Sequence, residues 1–502
     1  MSAVPGIPVQ LQVIGSQLRA IADEMNAVLV RSAYSSNIKE RRDCSTALFA
    51  PDGRMVAQAE SIPVHLGAMP EAVAAVMRLD PQLGEIYVLN DPYTGGTHLP
   101  DITLVSRTEL GFAVSRAHHA DVGGMEPASL PSQSRELYQE GLILPPVRLD
   151  PGVLTVMLAN MRNPDERRGD LRAQTASHHL AEQRVQELVA RRGRETVLAA
   201  MDELIAYSER RVRAGIAALP DGRYEAEDVL EPVSGTLVIK VAVTIRGDEL
   251  EIDFAGTSPQ YAGNLNCPLS VCRSACFFVV RCLTDPDVPA SGGAFAPVTV
   301  TAPLGSLVNA QSPAAVVAGN TETSNRITDA LFSAFAKAVP DRVPAMGQGT
   351  MNNITFGNSN FTYYETLGGG QGAGPGYDGP SAVHVTMSNT LNTPVEAFEL
   401  AYPMRIERYS LRPGTGGAGT WRGGDGIIRE IRVLEDCRLS VLSERRLHAP
   451  QGAQGGLPGA MGRTLVNGEP LPPKATVALS AGDLVRVETP GGGGFGPPGS
   501  AA

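Results

Sequence analysis

The chain has 502 residues, 43% of them hydrophobic and 19% charged, which describes a globular protein too long for one hydrophobic core. A formal charge of −11 argues against a nucleic-acid groove or an anionic membrane surface as the main partner. No apolar run approaches the roughly 18 residues that cross a bilayer, and Met1-Ser2-Ala3-Val4-Pro5 has neither the basic nor the apolar region of a secretion signal, so the cytoplasm is the expected location. Six cysteines in such a length do not make a disulfide framework. Cys267, Cys272, Cys276 and Cys282 cluster without a C-x-x-C spacing and read as packed core thiols. Only Lys39, Lys240, Lys337 and Lys474 are lysines, so arginine carries nearly all positive charge, which suits fixed carboxylate pairs.

In chain order, Leu11, Ile14, Leu18, Ile21, Met25 and Val28 recur at three- and four-residue steps and predict an amphipathic helix. Pro51-Asp52-Gly53 predicts a turn, and a short helix is expected through Val76. Ile86 to Leu89 has strand composition and enters a loop from Asn90 to Asp101. Ile102 to Val105 and Phe112 to Ser115 then predict two strands around a turn at Glu109-Leu110-Gly111. Two helices follow, the first opening at Asp170 as its N-cap and burying Leu171, Val185 and Leu188. The second carries Val197, Met201, Leu204 and Val212. After Pro220-Asp221-Gly222 the pattern turns to strands, with a hairpin around Arg246-Gly247-Asp248. Another helix carries Ile327, Leu331 and Phe335, and from about residue 401 short β runs alternate with glycine turns. The expected class is α+β with several subdomains: 1–222 with helices and a metal-bearing hairpin, 223–400 mixed, and 401–502 rich in β structure.

The densest chemistry lies in Asn90-Asp91-Pro92-Tyr93-Thr94-Gly95-Gly96-Thr97-His98-Leu99-Pro100-Asp101 and His118-His119-Ala120-Asp121-Val122-Gly123-Gly124. Imidazoles and carboxylates gathered this way suit a divalent metal of the zinc or manganese type. His98-x-x-Asp101 supplies two ligands from one loop, and a third imidazole would complete an open site with room for water or substrate. Side chains alternate along a strand, so His118 and His119 point oppositely and at most one joins His98 and Asp101. His118 is the preferred third ligand, with Asp121 and Asp43 as supporting or alternative ligands. The alternative reading of these residues is a His–Asp network that stiffens a glycine-rich loop. His65 reads equally as a pocket residue or a turn histidine, His178-His179 as a solvated helix face, and His384 and His448 are not selected by any pattern.

A second polar constellation joins Asn320-Thr321-Glu322-Thr323-Ser324-Asn325-Arg326 to Gln348-Gly349-Thr350-Met351-Asn352-Asn353. Such amides and hydroxyls either grip a small polar molecule or bridge packed loops. There is no G-x-x-x-x-G-K-[ST] loop, Gly368 to Gly374 precedes no helix pattern, and Thr489 to Gly496 reads as a tail packed on a neighbouring surface. No nucleophile elbow is present.

These blocks together resemble the hydantoinase B/oxoprolinase family. The matching segments are 37–43, 63–69, 90–101, 118–124, 139–141, 253–258, 319–326, 348–353, 421–426 and 489–496, nearly end to end. The resemblance implies the B-type component of an ATP-dependent hydantoinase, which completes hydrolytic ring opening of a small cyclic amide. It implies a separate A-type subunit with an actin-like ATPase fold that phosphorylates the substrate carbonyl oxygen, so ATP sits on that partner and not on this chain. A hetero-oligomer such as a dimer of heterodimers follows from that division of labour. Related acetone and acetophenone carboxylases make a carboxylase subunit the in-class alternative, and a catalytically silent subunit the other. The carboxylase relatives hold a metal with His, Asp and His, which maps onto His98, Asp101 and His118. His119, Asp121 and Glu140 are then the expected acid–base groups, and His65, Asn320, Glu322, Arg326, Asn352 and Asn353 the expected substrate contacts. Ser291-Gly292-Gly293 and the segment 383–389 depart from the family pattern and put a particular substrate in doubt.

Overall fold

The computed structural model describes residues 9–59 and 62–499; the expectation placed on Met1 to Pro5 lies outside them. Helix α1 (Val9–Ser32) buries Leu11, Ile14, Leu18, Ile21 and Met25 as its spacing predicts. Its last buried position is Leu29 rather than Val28, because a 3.6-residue period carries the stripe from Met25 to the fourth residue on. Each of these side chains contributes about 1.5–3 kcal/mol by leaving water. A short α2 (Ser36–Lys39) follows, then β1 (Cys44–Phe49), β2 (Met55–Ala59), α3 (Met69–Met77), β3 (Ile86–Leu89), β4 (Asp101–Thr108), β5 (Gly111–His118) and β6 (Val147–Arg148). The six strands form one sheet in the order β2-β1-β5-β4-β3-β6. All of its pairings are antiparallel.

Two long helices, α5 (Pro164–Arg192) and α6 (Arg194–Ile216), come after α4 (Pro151–Asn160). Helix α5 starts six residues before the expected Asp170, since Pro164 fits the first helical position. Asp170 is instead a buried interior residue whose carboxylate accepts from the backbone N–H groups of Tyr34 and Ser35 at 2.8 and 3.0 Å. It therefore ties α5 to the start of α2. His178 is also not on a solvated face: it is buried, with its two ring nitrogens 2.7 and 2.9 Å from the hydroxyls of Ser106 and Ser115 under the sheet. Its neighbour His179 is exposed.

The buried imidazole of His178 gives a measurable pH effect. Burial pushes its pKa down to about 3, whereas a free imidazole titrates near ~6.5. Below ~6.5 the unfolded chain takes up a proton that the folded chain refuses, so the contribution of His178 falls as pH falls. In urea denaturation, the stability gap between the native chain and a His178→Asn variant is expected to narrow by about 2 kcal/mol between pH 7 and pH 5. A gap that widens over that range contradicts the assignment.

A second sheet holds β7 (Gly222–Leu230), β8 (Leu237–Arg246), β9 (Glu249–Asp253) and β10 (Val298–Thr301), with the expected hairpin between β8 and β9. Helices α7 (Leu269–Thr284) and α8 (Ser324–Phe335) share its core, which takes residues from Ile62 through Val212 and Phe254 to Leu442. That core therefore draws on all three segments of the chain. Of the four clustered cysteines, Cys267, Cys272 and Cys276 are buried as expected, but Cys282, near the end of α7, is exposed. The remaining strands make a four-stranded and a five-stranded sheet in the C-terminal part, and residues 489–495 are buried against it. The architecture is mixed α and β with several sheets, and no described helix is long and apolar enough to cross a membrane.

Candidate metal centre

In the β4–β5 hairpin Asp101 lies directly opposite His118. Opposed residues of an antiparallel pair share a face, so this register alone brings the carboxylate to the imidazole. The tight turn between His98 and Asp101, closed by a hydrogen bond from the Asp101 N–H to the His98 carbonyl at 3.1 Å, folds the His98 ring back onto the same face. Gly95 lets the preceding part of the loop pack against α3: its φ is +109°, and a Cβ there would stand 2.6 Å from the backbone of Ala72. His119 points to the other face, where its Nε2 is 2.9 Å from Gln174 of α5.

Three atoms converge. His98 Nε2 is 3.1 Å from Asp101 Oδ1, His118 Nδ1 is 3.2 Å from the same oxygen, and the two nitrogens are 3.2 Å apart. All three residues are at most 2% exposed. Donor atoms bound at ~2.1 Å to one ion stand about 3.0 Å apart at adjacent octahedral corners and about 3.4 Å apart at tetrahedral ones. The observed spacing falls between those values, so the donor set fits a divalent cation of the zinc or manganese type. Among the described residues this is the group of three such side chains able to hold a metal.

The surroundings hold the carboxylate as an anion. Burial works against that charge, but the His98 charge and hydrogen bonds to His118, His65 and His98 outweigh it and keep Asp101 well below the ordinary carboxylate range. Its Oδ2 accepts from the Thr97 hydroxyl at 2.5 Å and lies 3.6 Å from His65 Nε2, whose Nδ1 is 2.9 Å from the Ser45 hydroxyl. Burial also opposes protonation of His98, yet Asp101 and then Asp43 lift its pKa above the usual imidazole value. For His118 burial prevails, only partly offset by Asp101, and its pKa is lowered. Tyr364 stacks on His118 with ring centroids 4.5 Å apart, and the Arg41 guanidinium lies 4.9 Å from the centroid of the tyrosine ring. No sequence pattern pointed to Tyr364, and Thr97, though within the 90–101 block, carried no predicted role. Tyr364 comes from a strand some 246 positions beyond His118, a pairing that exists only in the fold.

The cavity over the three donors has a volume of about 20 Å³, room for about one water. Of the expected contacts, His65 and Asn320 line it, as does Asp43, which stands outside the three-atom cluster. The Asn320 Oδ1 is buried without a protein partner, and a single π-helical turn, Gly319–Thr323, presents it there. The other expected residues are placed elsewhere. Asp121 accepts from the N–H groups of Gly123 and Ala128 and from Arg162, which fixes its own loop rather than facing the cavity. Glu322 accepts from Met351 N–H and Asn353 Nδ2, Asn353 accepts from the Tyr364 hydroxyl, and Asn352 donates to Gln348 Oε1, so all three fasten packed loops. Arg326 is taken up by Asp228 and Asp329 at 3.1 and 2.9 Å. Glu140 accepts from Ser134 and from the N–H groups of Val316 and Val317. Burial nevertheless pushes its pKa up to about 7 against those bonds and the charge of His98.

A sequence model described as hydantoinase B/oxoprolinase matches residues 7–498. The chain belongs to that family. It is 38% identical to 5-oxoprolinase 1 of Arabidopsis thaliana over 97% of its own length, but spans only 42% of that larger protein. The B component of a putative D-/L-hydantoinase from a Pseudomonas species is 33% identical, with 98% of this chain and 90% of the relative covered. Among solved structures, the ATP-dependent caprolactamase from Pseudomonas jessenii superposes with a TM-score of 0.91 at 30% identity, covering 98% of this chain and 91% of the other. The family and the mixed fold agree with what the sequence blocks imply.

Proposed function

We propose that this chain is the B-type component of an ATP-dependent cyclic amide hydrolase of the hydantoinase/5-oxoprolinase type. In this reading it completes ring opening on a substrate that a separate A-type, actin-like ATPase subunit has phosphorylated, in an oligomer containing the two. The observation that carries the reading is the convergence of His98, Asp101 and His118 on one buried point in a chain of this family. A relative named as the B component of a hydantoinase and a structural neighbour named as an ATP-dependent caprolactamase support it.

An amide resists water because its carbonyl is resonance-stabilised and its amine leaves poorly. Phosphorylation of the oxygen removes that resonance, and modest acid–base help then suffices. A divalent ion held by His98, Asp101 and His118 supplies Lewis acidity when bound. Asp101, kept anionic by its four neighbours, and His118, kept neutral by burial and fixed by Tyr364, are ready as ligands. Asn320 offers an unused carbonyl oxygen to an N–H of the ring. Glu140, with its pKa at about 7 and its carboxylate within electrostatic reach of His98, holds or releases a proton near neutrality. His119 and Asp121, engaged elsewhere, position the loop.

The test is to co-express the chain with an A-type subunit and follow ATP turnover and ring opening with hydantoin, 5-oxoproline and caprolactam, each with and without bicarbonate. ATP-coupled ring opening independent of bicarbonate is expected. A product that needs bicarbonate assigns the chain to the carboxylase branch, and a folded, metal-free chain that adds nothing to the A-type subunit makes it a scaffold.

A further inference from the structure

A second cavity of about 840 Å³ lies back to back with the 20 Å³ pocket over the triad. Ser388 and Asn389 line both. Pro63 faces the larger space, while Ile62 and Val64 on either side of it face the smaller. The two spaces therefore adjoin along residues 62–65 and 384–390. The second of these segments is held under backbone strain: Thr386 has a φ of +51°, a region that a β-branched residue rarely enters, and Ala382 just before the segment has a φ of +57°. Asn325 keeps it in place, its Oδ1 accepting from both the Thr386 hydroxyl and the Met387 N–H.

The smaller pocket has room for about one water, less than any cyclic amide ring. A ring presented to the triad must therefore reach beyond that pocket, and the larger space is the neighbour that shares its lining. In the larger space it meets Phe278 from α7, Phe332 from the partly exposed face of α8, Ala336 just past the end of that helix, and Val385, an apolar wall with polar groups around it. The volume lies within the roughly 300–1,000 Å³ typical of small-molecule sites. We infer that the large cavity receives the ring substituent of the substrate, and that residues 384–390 with the α7–α8 wall select cyclic amides bearing an apolar substituent. This rests on the reading of the chain as a component of a cyclic amide hydrolase.

Two measurements on the assembled complex test it, with hydantoin and 5-benzylhydantoin as probes. Ala336→Trp places an indole in the cavity, and the ratio of kcat/KM for 5-benzylhydantoin to that for hydantoin is expected to fall by about tenfold or more. A packing defect would lower both substrates alike, and an unmoved ratio overturns the inference. The second measurement uses Cys282, which lines the cavity and is exposed, whereas Cys44, Cys267, Cys272, Cys276 and Cys437 are buried. Saturating 5-benzylhydantoin is expected to slow maleimide labelling of Cys282 by about fivefold or more, and hydantoin to slow it far less. Equal rates with and without 5-benzylhydantoin overturn the assignment. Labelling needs no turnover, so a complex that hydrolyses neither probe refutes the assigned reaction, while protection of Cys282 still decides what the cavity holds.

Discussion

Under the proposed function, Asp101→Asn is expected to abolish ring opening in the assembled complex and binding of a divalent ion while the fold survives. One carboxylate serves the whole centre: its Oδ1 stands 3.1 and 3.2 Å from two imidazoles, and its Oδ2 accepts from Thr97 and faces His65. An amide of the same shape removes the negative charge on which His98 and His118 converge, and places a donor where Thr97 or an imidazole already donates. Loss of an outer partner of a metal ligand costs roughly 10–100-fold, so loss of a ligand itself is expected to exceed that in both kcat and metal content. Metal analysis, turnover and circular dichroism on one preparation check it. Full metal content with normal turnover would leave the three residues as a stiffening His–Asp network. Thr97→Val serves as the milder companion, since it takes one hydrogen bond from Asp101 and leaves all three donor atoms in place. Its expected loss is within the roughly 10–100-fold of an outer partner.

The hairpin was legible because two period rules act on it locally. Strand composition gave β4 and β5, and strand alternation separated His118 from His119, whose ring is indeed on the opposite face against Gln174. The helical stripes of α1 and α6 were legible for the same reason. What was not legible depends on contacts distant in sequence. Asp170 looked like a cap because its type favours one, yet the donors it satisfies are those of Tyr34 and Ser35, about 135 residues earlier. His178 sat among charged neighbours on a helix, and only the packing of α5 against the sheet shows that it turns inward to Ser106 and Ser115. In the polar block 320–326 the sequence offered substrate grip and loop bridging equally. The fold gives Asn320 to the cavity and the residues from Glu322 to Arg326 to the interior, because the π-helical turn at Gly319–Thr323 rotates them apart. Gly319 itself is required there, as a Cβ would stand 1.7 Å from the Asn266 carbonyl oxygen.

Arg326 separates a substrate contact from a structural one most sharply. Its guanidinium is buried among Asp228 at 3.1 Å, Asp329 at 2.9 Å and Glu444 at 3.6 Å, and Arg445 reaches the same two aspartates at 2.9 and 2.6 Å. Burial disfavours its charge, but Asp228 and then Asp329 and Glu444 more than restore it, and its pKa is raised. Asp329 shows the cost of that crowding: burial pushes its pKa up to about 7 even with Arg326 beside it. Arg326→Met keeps the length and removes the charge, leaving buried Asp329 and part-buried Asp228 with Arg445 as their close cation, while Glu444 keeps Lys474 at 2.6 Å. Breaking a buried pair by removing one partner costs about 3–5 kcal/mol, and that loss is the expected shift in a urea titration at pH 7. The sign with pH follows from the same charges. Arg326 holds the raised pKa of Asp329 down, so without it folded Asp329 binds its proton still more tightly than in the unfolded chain, and the variant regains stability as pH falls from 7 toward 5. A substrate contact behaves differently: stability would hold, and KM for the cyclic amide would rise. A variant with native stability and a raised KM would therefore return Arg326 to the substrate, whereas an unchanged KM in the folded fraction with a weakened fold assigns it to the junction between α8, β7 and the C-terminal sheets.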